Sequence, residues 1–213
     1  MDEPRTASPV AHREGPPTAK RAQVQAAVLA ATEELLAGGS SYADLNVERI
    51  ATAAGISRTA FYFYFRDKRD LLMRLAADVT EQLYDQADIW FSGGGDPQVM
   101  IREALARIFA LYEQHGVLVR AIVEVSTYEP DIATFWRGLL DRFVDATARR
   151  IEARSPGTAP EAAHATAFAL TWMVERACYQ QLVQGVPLTG GPLIDAVADI
   201  YLAAVYGGAP GSA

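Results

Sequence analysis

Cysteine is almost absent: Cys178 is the one thiol in 213 residues. That excludes an intrachain disulfide and any zinc site built on thiolates. Histidine is scarce as well. His12, His115 and His164 have no i, i+4 partner and no acidic neighbour at metal-ligand spacing. Long apolar runs are missing too. Glu, Arg or Gly breaks each of them well before the roughly 18 residues that a spanning helix needs. The start, Met1-Asp2-Glu3-Pro4, has no apolar h-region and reads as no secretory signal. Gly93-Gly94-Gly95 lacks the Lys-Ser/Thr of a phosphate loop and reads as a hinge or linker. No catalytic residue, metal ligand or cofactor site is assigned. The expectation is a cytoplasmic protein that is not an enzyme and does not enter a membrane.

What is present is an ordinary globular composition, 50% hydrophobic and 21% charged, with net charge −7. The charge is uneven. Residues 1–75 carry +1 and residues 76–213 carry −8. Within residues 46–74 six basic side chains (Arg49, Arg58, Arg66, Lys68, Arg69, Arg74) face three acids, Glu48, Asp67 and Asp70. A locally basic segment on an acidic body suits a protein that touches nucleic acid at one end. A solvated helix face has the same look.

Residues 1–17 are rich in Pro, Ser, Thr and charge and read as a disordered arm. From Lys20 onward one pattern recurs: an apolar stripe at helical spacing, then a Gly or Pro break. Val24, Val28, Ala31 and Leu35 give the first stripe, which stops at Gly38-Gly39. Short helices are expected at 47–54 and 58–64. A longer one starts at Asp67, buries Leu72, Leu75, Val79 and Leu83, and ends before Ser92. Further stripes cover 97–115, 117–127, 130–154, 160–184 and 192–206. No segment alternates as a strand does. About nine helices and no sheet are expected, an all-α class. The expected layout is an arm (1–17), a helix–turn–helix domain (18–66), a connecting helix (67–92) and a larger helical domain (93–213).

Residues 46–62 meet the demands of a helix–turn–helix in order. Asn46 is a good N-cap. Ile50 and Ala51 face inward, and small alanines let two helices cross closely. Gly55 sits where the chain turns. Ser57 caps the second helix, which can then offer its first turn to a groove. An ordinary helical hairpin would read the same way up to this point.

The run Gly55-Ile56-Ser57-Arg58-Thr59-Ala60-Phe61-Tyr62-Phe63-Tyr64-Phe65-Arg66-Asp67-Lys68-Arg69-Asp70-Leu71-Leu72 resembles the signature of the TetR family of bacterial transcriptional repressors. There a Gly–aliphatic–Ser turn precedes an aromatic run, then a Lys and a Leu pair. The aromatic run, the length and the late Glu175-Arg176 pair look most like the branch of mycobacterial ethionamide-resistance repressors. The likeness implies an N-terminal DNA-binding domain, a C-terminal domain that binds a ligand, and a homodimer on a palindromic operator. It places Thr59, Tyr62, Tyr64 and Lys68 at positions that meet DNA. Asn46 and Ser57 belong to the same candidate face.

The residues can be weighed on their chemistry. Thr59 can offer a methyl or a hydroxyl to a base edge, and Arg58 a bidentate contact to guanine or a phosphate contact. Tyr62 and Tyr64 are two apart and splay on a helix. Phe61 and Phe65 are assigned to the core, and Phe63 is left open. Lys68 lies in the first turn of a helix, where the dipole disfavours a cation by roughly 0.3–1 kcal/mol. A bound phosphate would offset that, so Lys68 is expected to clamp a phosphate, with a solvated lysine as the alternative. Lys20, Arg21, Arg5 and Arg13 are further candidates for backbone or minor-groove contacts.

The larger domain holds more big aromatics than close packing needs, and these suit an apolar pocket between helices. The resemblance places Trp136, Phe143, Thr171, Val174 and Tyr201 along such a channel. Phe109, Tyr112, Leu140 and Glu175 complete the expected ligand site. The branch has Asn where this chain has Thr171 and Val174, which implies a more lipophilic effector. Glu175 is left open between an ion pair with Arg176 and a ligand contact. Cys178 reads as a buried thiol. The last two helices are expected to form the dimer. A protein partner in place of a small molecule is the alternative, and a closed or very small pocket would favour it. A nucleoid protein without operator preference would be basic overall.

Overall fold

The computed structural model describes residues 19–185 and 190–207. The expected arm, with Arg5 and Arg13, lies outside them. Among the described residues there are eight α-helices and no strand: α1 (Ala19–Ala37), α2 (Val47–Ala53), α3 (Arg58–Tyr64), α4 (Lys68–Phe91), α5 (Pro97–Ser126), α6 (Pro130–Arg154), α7 (Pro160–Cys178) and α8 (Gly190–Tyr206). A single wider π-turn, Tyr179–Val183, extends α7.

The two helices expected on either side of Gly116 run on as α5. They meet at a kink, where His115 leaves helical geometry with φ −108° and ψ 17°. The residue after it is glycine, the weakest ordinary helix former. Counted as two arms, α5 brings the helices to the expected nine. His115 also bridges outward, its Nδ1 lying 3.2 Å from Glu33 Oε1 on α1. Glu33 is thus tied to α5.

The starts and stops follow local chemistry. The Asn46 side chain accepts from Arg49 N at 2.8 Å and opens α2. The Ser57 hydroxyl accepts from Ala60 N at 3.0 Å and opens α3. Between them Gly55 adopts φ +68°, the left-handed turn that a side chain would strain. Asp67 caps α4 by accepting from Asp70 N at 2.8 Å. The Asp70 carboxylate reaches back to Arg66 N at 3.0 Å.

One apolar core begins in α1, α2 and α3 and the residue after α3, with Val28, Ile50, Phe61 and Phe65. It continues through Leu71, Leu72 and Leu75 of α4 into Leu118, Ile122 and Trp136. A second core gathers Trp90, Leu105, Val144, Ile151, Leu170, Val197 and Tyr201 at the far end. The helix α4 belongs to both. At about 1.5 Å per residue it spans roughly 36 Å. It shares that reach with α5, which also contributes to both cores and packs on α1.

Candidate functional site

Two places gather the residues singled out in the sequence. The first is the outer face of α3. Phe61 and Phe65 are 0% and 1% exposed and hold the helix down. Burying rings of this size contributes roughly 1.5–3 kcal/mol each. Their rings meet at 5.2 Å. The residues between them point away: Tyr62 is 41% exposed and Phe63 is 71% exposed. Phe63 thus leaves the core, and nothing among the described residues covers it. Arg58 and Thr59 are exposed in the first turn, and Tyr64 is half-buried. Arg21 of α1 lies over the Tyr64 ring at 6.0 Å.

Asn46 and Ser57 spend their side-chain oxygens on their caps. They set where α2 and α3 begin. The basic cluster is also largely engaged. Arg66 and Arg74 reach Asp70 at 3.4 and 3.5 Å. Arg69 faces Asp67, Glu129 and Asp131 at 3.5–3.9 Å. Arg49 and Arg58 are exposed, with no ion pair among the described residues.

Lys68 departs from the expectation. Its ammonium donates to three carbonyls of the α1–α2 loop: Tyr42 at 2.8 Å, Ala43 at 3.1 Å and Leu45 at 2.8 Å. It lies 5.1 Å from the Tyr42 ring centre. The Tyr42 hydroxyl donates back to the Lys68 carbonyl. An ammonium has three hydrogens, and all three are used. Lys68 therefore ties α4 to the loop before α2 and has no donor left for a phosphate. Burial pushes its pKa down, with Asp44 opposing.

The second place is a cavity of about 60 Å³ between the two cores. Of the nine expected residues, Tyr112, Leu140, Phe143, Thr171, Val174, Glu175 and Tyr201 line it. Two do not. Phe109 is buried in the first core. Trp136 lines a separate hollow that also meets Glu175 and Arg176. Sequence reasoning missed one wall: Leu83, Ala87, Trp90 and Phe91 of α4, with Ile101, Ala104, Leu105 and Ile108 of α5. Their stripes were visible at helical spacing. A stripe reports burial, and not whether the facing wall touches it.

The cavity is largely apolar, and Glu175 is the one carboxyl in its lining. Glu175 is 3% exposed, and neither carboxylate oxygen has a hydrogen-bond partner among the described residues. Arg176 Nε stands 3.7 Å away, beyond hydrogen-bond reach. Burial raises the Glu175 pKa, and Arg176 opposes the rise. Leaving a carboxyl without a hydrogen bond in such a place is costly. Across the cavity the Tyr201 hydroxyl meets Thr147 Oγ1 at 3.1 Å. Cys178 is fully buried, and burial pushes its thiol pKa far up, so it is no nucleophile.

No group of three or more His, Cys, Asp or Glu among the described residues is placed to hold a metal. No helix among them is long and apolar enough to cross a membrane.

Known proteins give this geometry its context. The family model described as bacterial regulatory proteins, tetR family, matches residues 28–75. The model described as transcriptional regulator EthR, C-terminal domain, matches residues 101–207, half of the chain. The HTH-type transcriptional regulator EthR of Mycolicibacterium smegmatis is 32% identical over 195 residues, 87% of this chain and 88% of that protein. The EthR of Mycobacterium tuberculosis is 29% identical over 191 residues, 85% of this chain and 86% of that protein. A TetR-family regulator from Streptomyces coelicolor shares the fold, with a TM-score of 0.68 at 21% identity over 87% of this chain and 79% of that one. One from Marinobacter aquaeolei has a TM-score of 0.61 at 24% identity, over 87% and 97%.

Proposed function

The chain belongs to the TetR family of bacterial transcriptional regulators, in its EthR branch, and from that premise we propose that it is a repressor. It binds a palindromic operator as a dimer in the cytoplasm and leaves it when an apolar effector fills the cavity between the two cores. It is a regulator and not an enzyme.

The observation that carries the DNA reading is the outer face of α3. A helix pinned by two fully buried rings presents Arg58, Thr59, Tyr62 and Phe63 outward. These side chains suit a major groove: Arg for guanine, Thr and Phe for a thymine methyl, Tyr for phosphate. Lys68 and the two caps hold this helix in register. One short helix reads few bases, and a two-fold pair matches a palindrome. The outward faces of α7 and α8 suit the dimer contact. They present Ala162, Ala165, Phe168 and Ala169, and Ala196, Ile200, Ala203 and Ala204. Small side chains allow the helices of two copies to approach closely, with Phe168 and Ile200 as larger apolar contacts. The domain division expected from the sequence, with α4 as connector, fits this scheme.

The narrowness of the cavity favours a second reading, in which the larger domain receives a protein partner. The Glu175 carboxyl weighs against it. The carboxyl has an ion-pair contact with Arg176 at 3.7 Å but no hydrogen bond, and it lines the apolar cavity, where a polar group of a small molecule would serve it.

The test is a mobility-shift titration with DNA flanking the protein's own gene against random duplex, at fixed salt. Arg58→Ala and Phe63→Ala should each weaken selective binding about tenfold or more while leaving Tm in place, since bidentate and methyl contacts carry roughly 1–3 kcal/mol of discrimination. Unselective binding, unchanged in both variants, would sink the reading.

A further inference from the structure

A hollow of about 420 Å³ lies between the end of α4 and the end of α6. Its basic side chains are Arg149, Arg150 and Arg154, and its one acid is Asp88. Asp88 is already engaged by the Ser92 hydroxyl at 2.7 Å. None of the three arginines has an ion pair among the described residues. Three arginines against one carboxylate leave the hollow net cationic, on a protein of net charge −7.

Arg150 explains part of it. It is buried, donates Nη1 to the Phe91 carbonyl at 3.1 Å and donates Nε and Nη2 to the Tyr206 hydroxyl at 3.3 Å. That caps α4. Arg154 sits in the last turn of α6, where the helix dipole favours a cation. Arg149 is left with neither role. Helix capping alone does not call for three arginines around one concavity.

The hollow adjoins the apolar cavity through a thin aromatic partition. Tyr84 and Phe91 line the hollow, and Phe91 and Phe143 line the cavity. The three rings contact one another at centroid distances of 5.3–6.2 Å, Phe143 meeting Tyr84 and Phe91 in T-shaped pairs and Tyr84 lying tilted against Phe91. Arg150 spans the same partition, its guanidinium 4.3 Å from the Trp90 ring centre. Trp90 lines the cavity, and its buried indole N–H has no acceptor among the described residues. Polar groups buried in this way are normally paired.

The geometry points to a headgroup site: the hollow takes the carboxylate or phosphate of a long-chain amphiphile whose tail passes Phe91 into the apolar cavity. This rests on the cavity being the effector site. The arginines bind the anion by charge-assisted hydrogen bonds, and their partial exposure makes the attraction weaken with salt.

Three probes of one chain length test it: palmitate, hexadecyl phosphate and methyl palmitate, each below its aggregation threshold. Binding is followed by tryptophan fluorescence, since Trp90 lies at the partition. Palmitate or hexadecyl phosphate should bind at least about tenfold more tightly than the ester at low salt. In an Arg149→Ala/Arg154→Ala variant that ratio should fall towards one. A preference for only one of the two anions supports the inference and identifies the headgroup. Equal binding of ester and anions, or a preference that survives in the variant, overturns the headgroup site and leaves the apolar effector site standing. Failure of all three probes to bind overturns both.

Discussion

Lys68→Met separates a structural tie from a phosphate clamp. The substitution keeps an unbranched stem against the Tyr42 ring and removes the charge. Three carbonyls lose a donor. The bond to Ala43 is exposed, so water replaces it at little cost. The bonds to Tyr42 and Leu45 are partly buried, and each is worth about 1 kcal/mol net after solvent screening. Burial already lowers the Lys68 pKa, so relief of that desolvation offsets some of the loss. The expected cost is about 1–2 kcal/mol, a fall in Tm of roughly 2–8 °C for a chain of this size. Calorimetry measures the fall. Operator titration at several salt concentrations measures the other side. A tie leaves the salt slope of binding unchanged, because no phosphate contact is removed. A clamp lowers the slope by about one unit. An unmoved Tm with a reduced salt slope would refute the assignment of Lys68 as a tie.

Glu175→Gln should raise Tm at neutral pH. The folded-state pKa of Glu175 lies above its ordinary value of 4.5, so the wild type holds stability below that pH and loses it as pH rises through the raised value. The gap between variant and wild type should close on acidification, and a gap that is constant across pH would contradict the buried carboxyl. Ile200→Asp should convert a dimer to a monomer in light scattering with little change in far-ultraviolet dichroism. Ile200 is an exposed apolar side chain on α8, and a dimer that survives the change would move the interface elsewhere.

The helices were legible because each stripe and each break is a local signal. Asn46, Ser57 and Asp67 cap the elements their sequence positions predict. The merging of α5 across His115 was not legible. Gly116 signals a weak point, and only tertiary packing decides whether the helix ends or bends. Phe61 and Phe65 read as core because they lie four apart, on one face. Phe63 stayed open although, two residues from each of them, it lies about 200° round the helix and so faces outward. Lys68 misled for a plain reason. Its first-turn position is unfavourable for a cation, and an anion was taken as the compensation. The compensation is instead three carbonyls from a loop more than 20 residues away, a contact that no local pattern contains. The α4 wall of the cavity was missed likewise. Leu83, Ala87 and Trp90 form a stripe, and a stripe facing a void looks the same as one facing a neighbour.

A cavity of about 60 Å³ is well below the roughly 300 Å³ at which drug-sized pockets begin. On the proposed function, an effector that fills it would have to push α4, α5 and α6 apart, and this requirement would couple the site to α2 and α3. The end of α4 is pinned to α6 and α8 through Arg150, and its start is pinned to the loop before α2 through Lys68. On that proposal, displacement of the wall at Leu83 and Ala87 would reach the other end of α4 as a tilt and carry α2 and α3 with it. Reversing a two-state population from 1:99 to 99:1 takes about 5.5 kcal/mol of differential affinity. At roughly 0.8 kcal/mol per buried methylene that is about seven methylenes that contact protein in the open state and not in the closed one. A compact ligand accommodated in the existing void binds both states alike and shifts nothing. On the proposed function the narrow cavity would select for long apolar effectors by the same step that makes them effective.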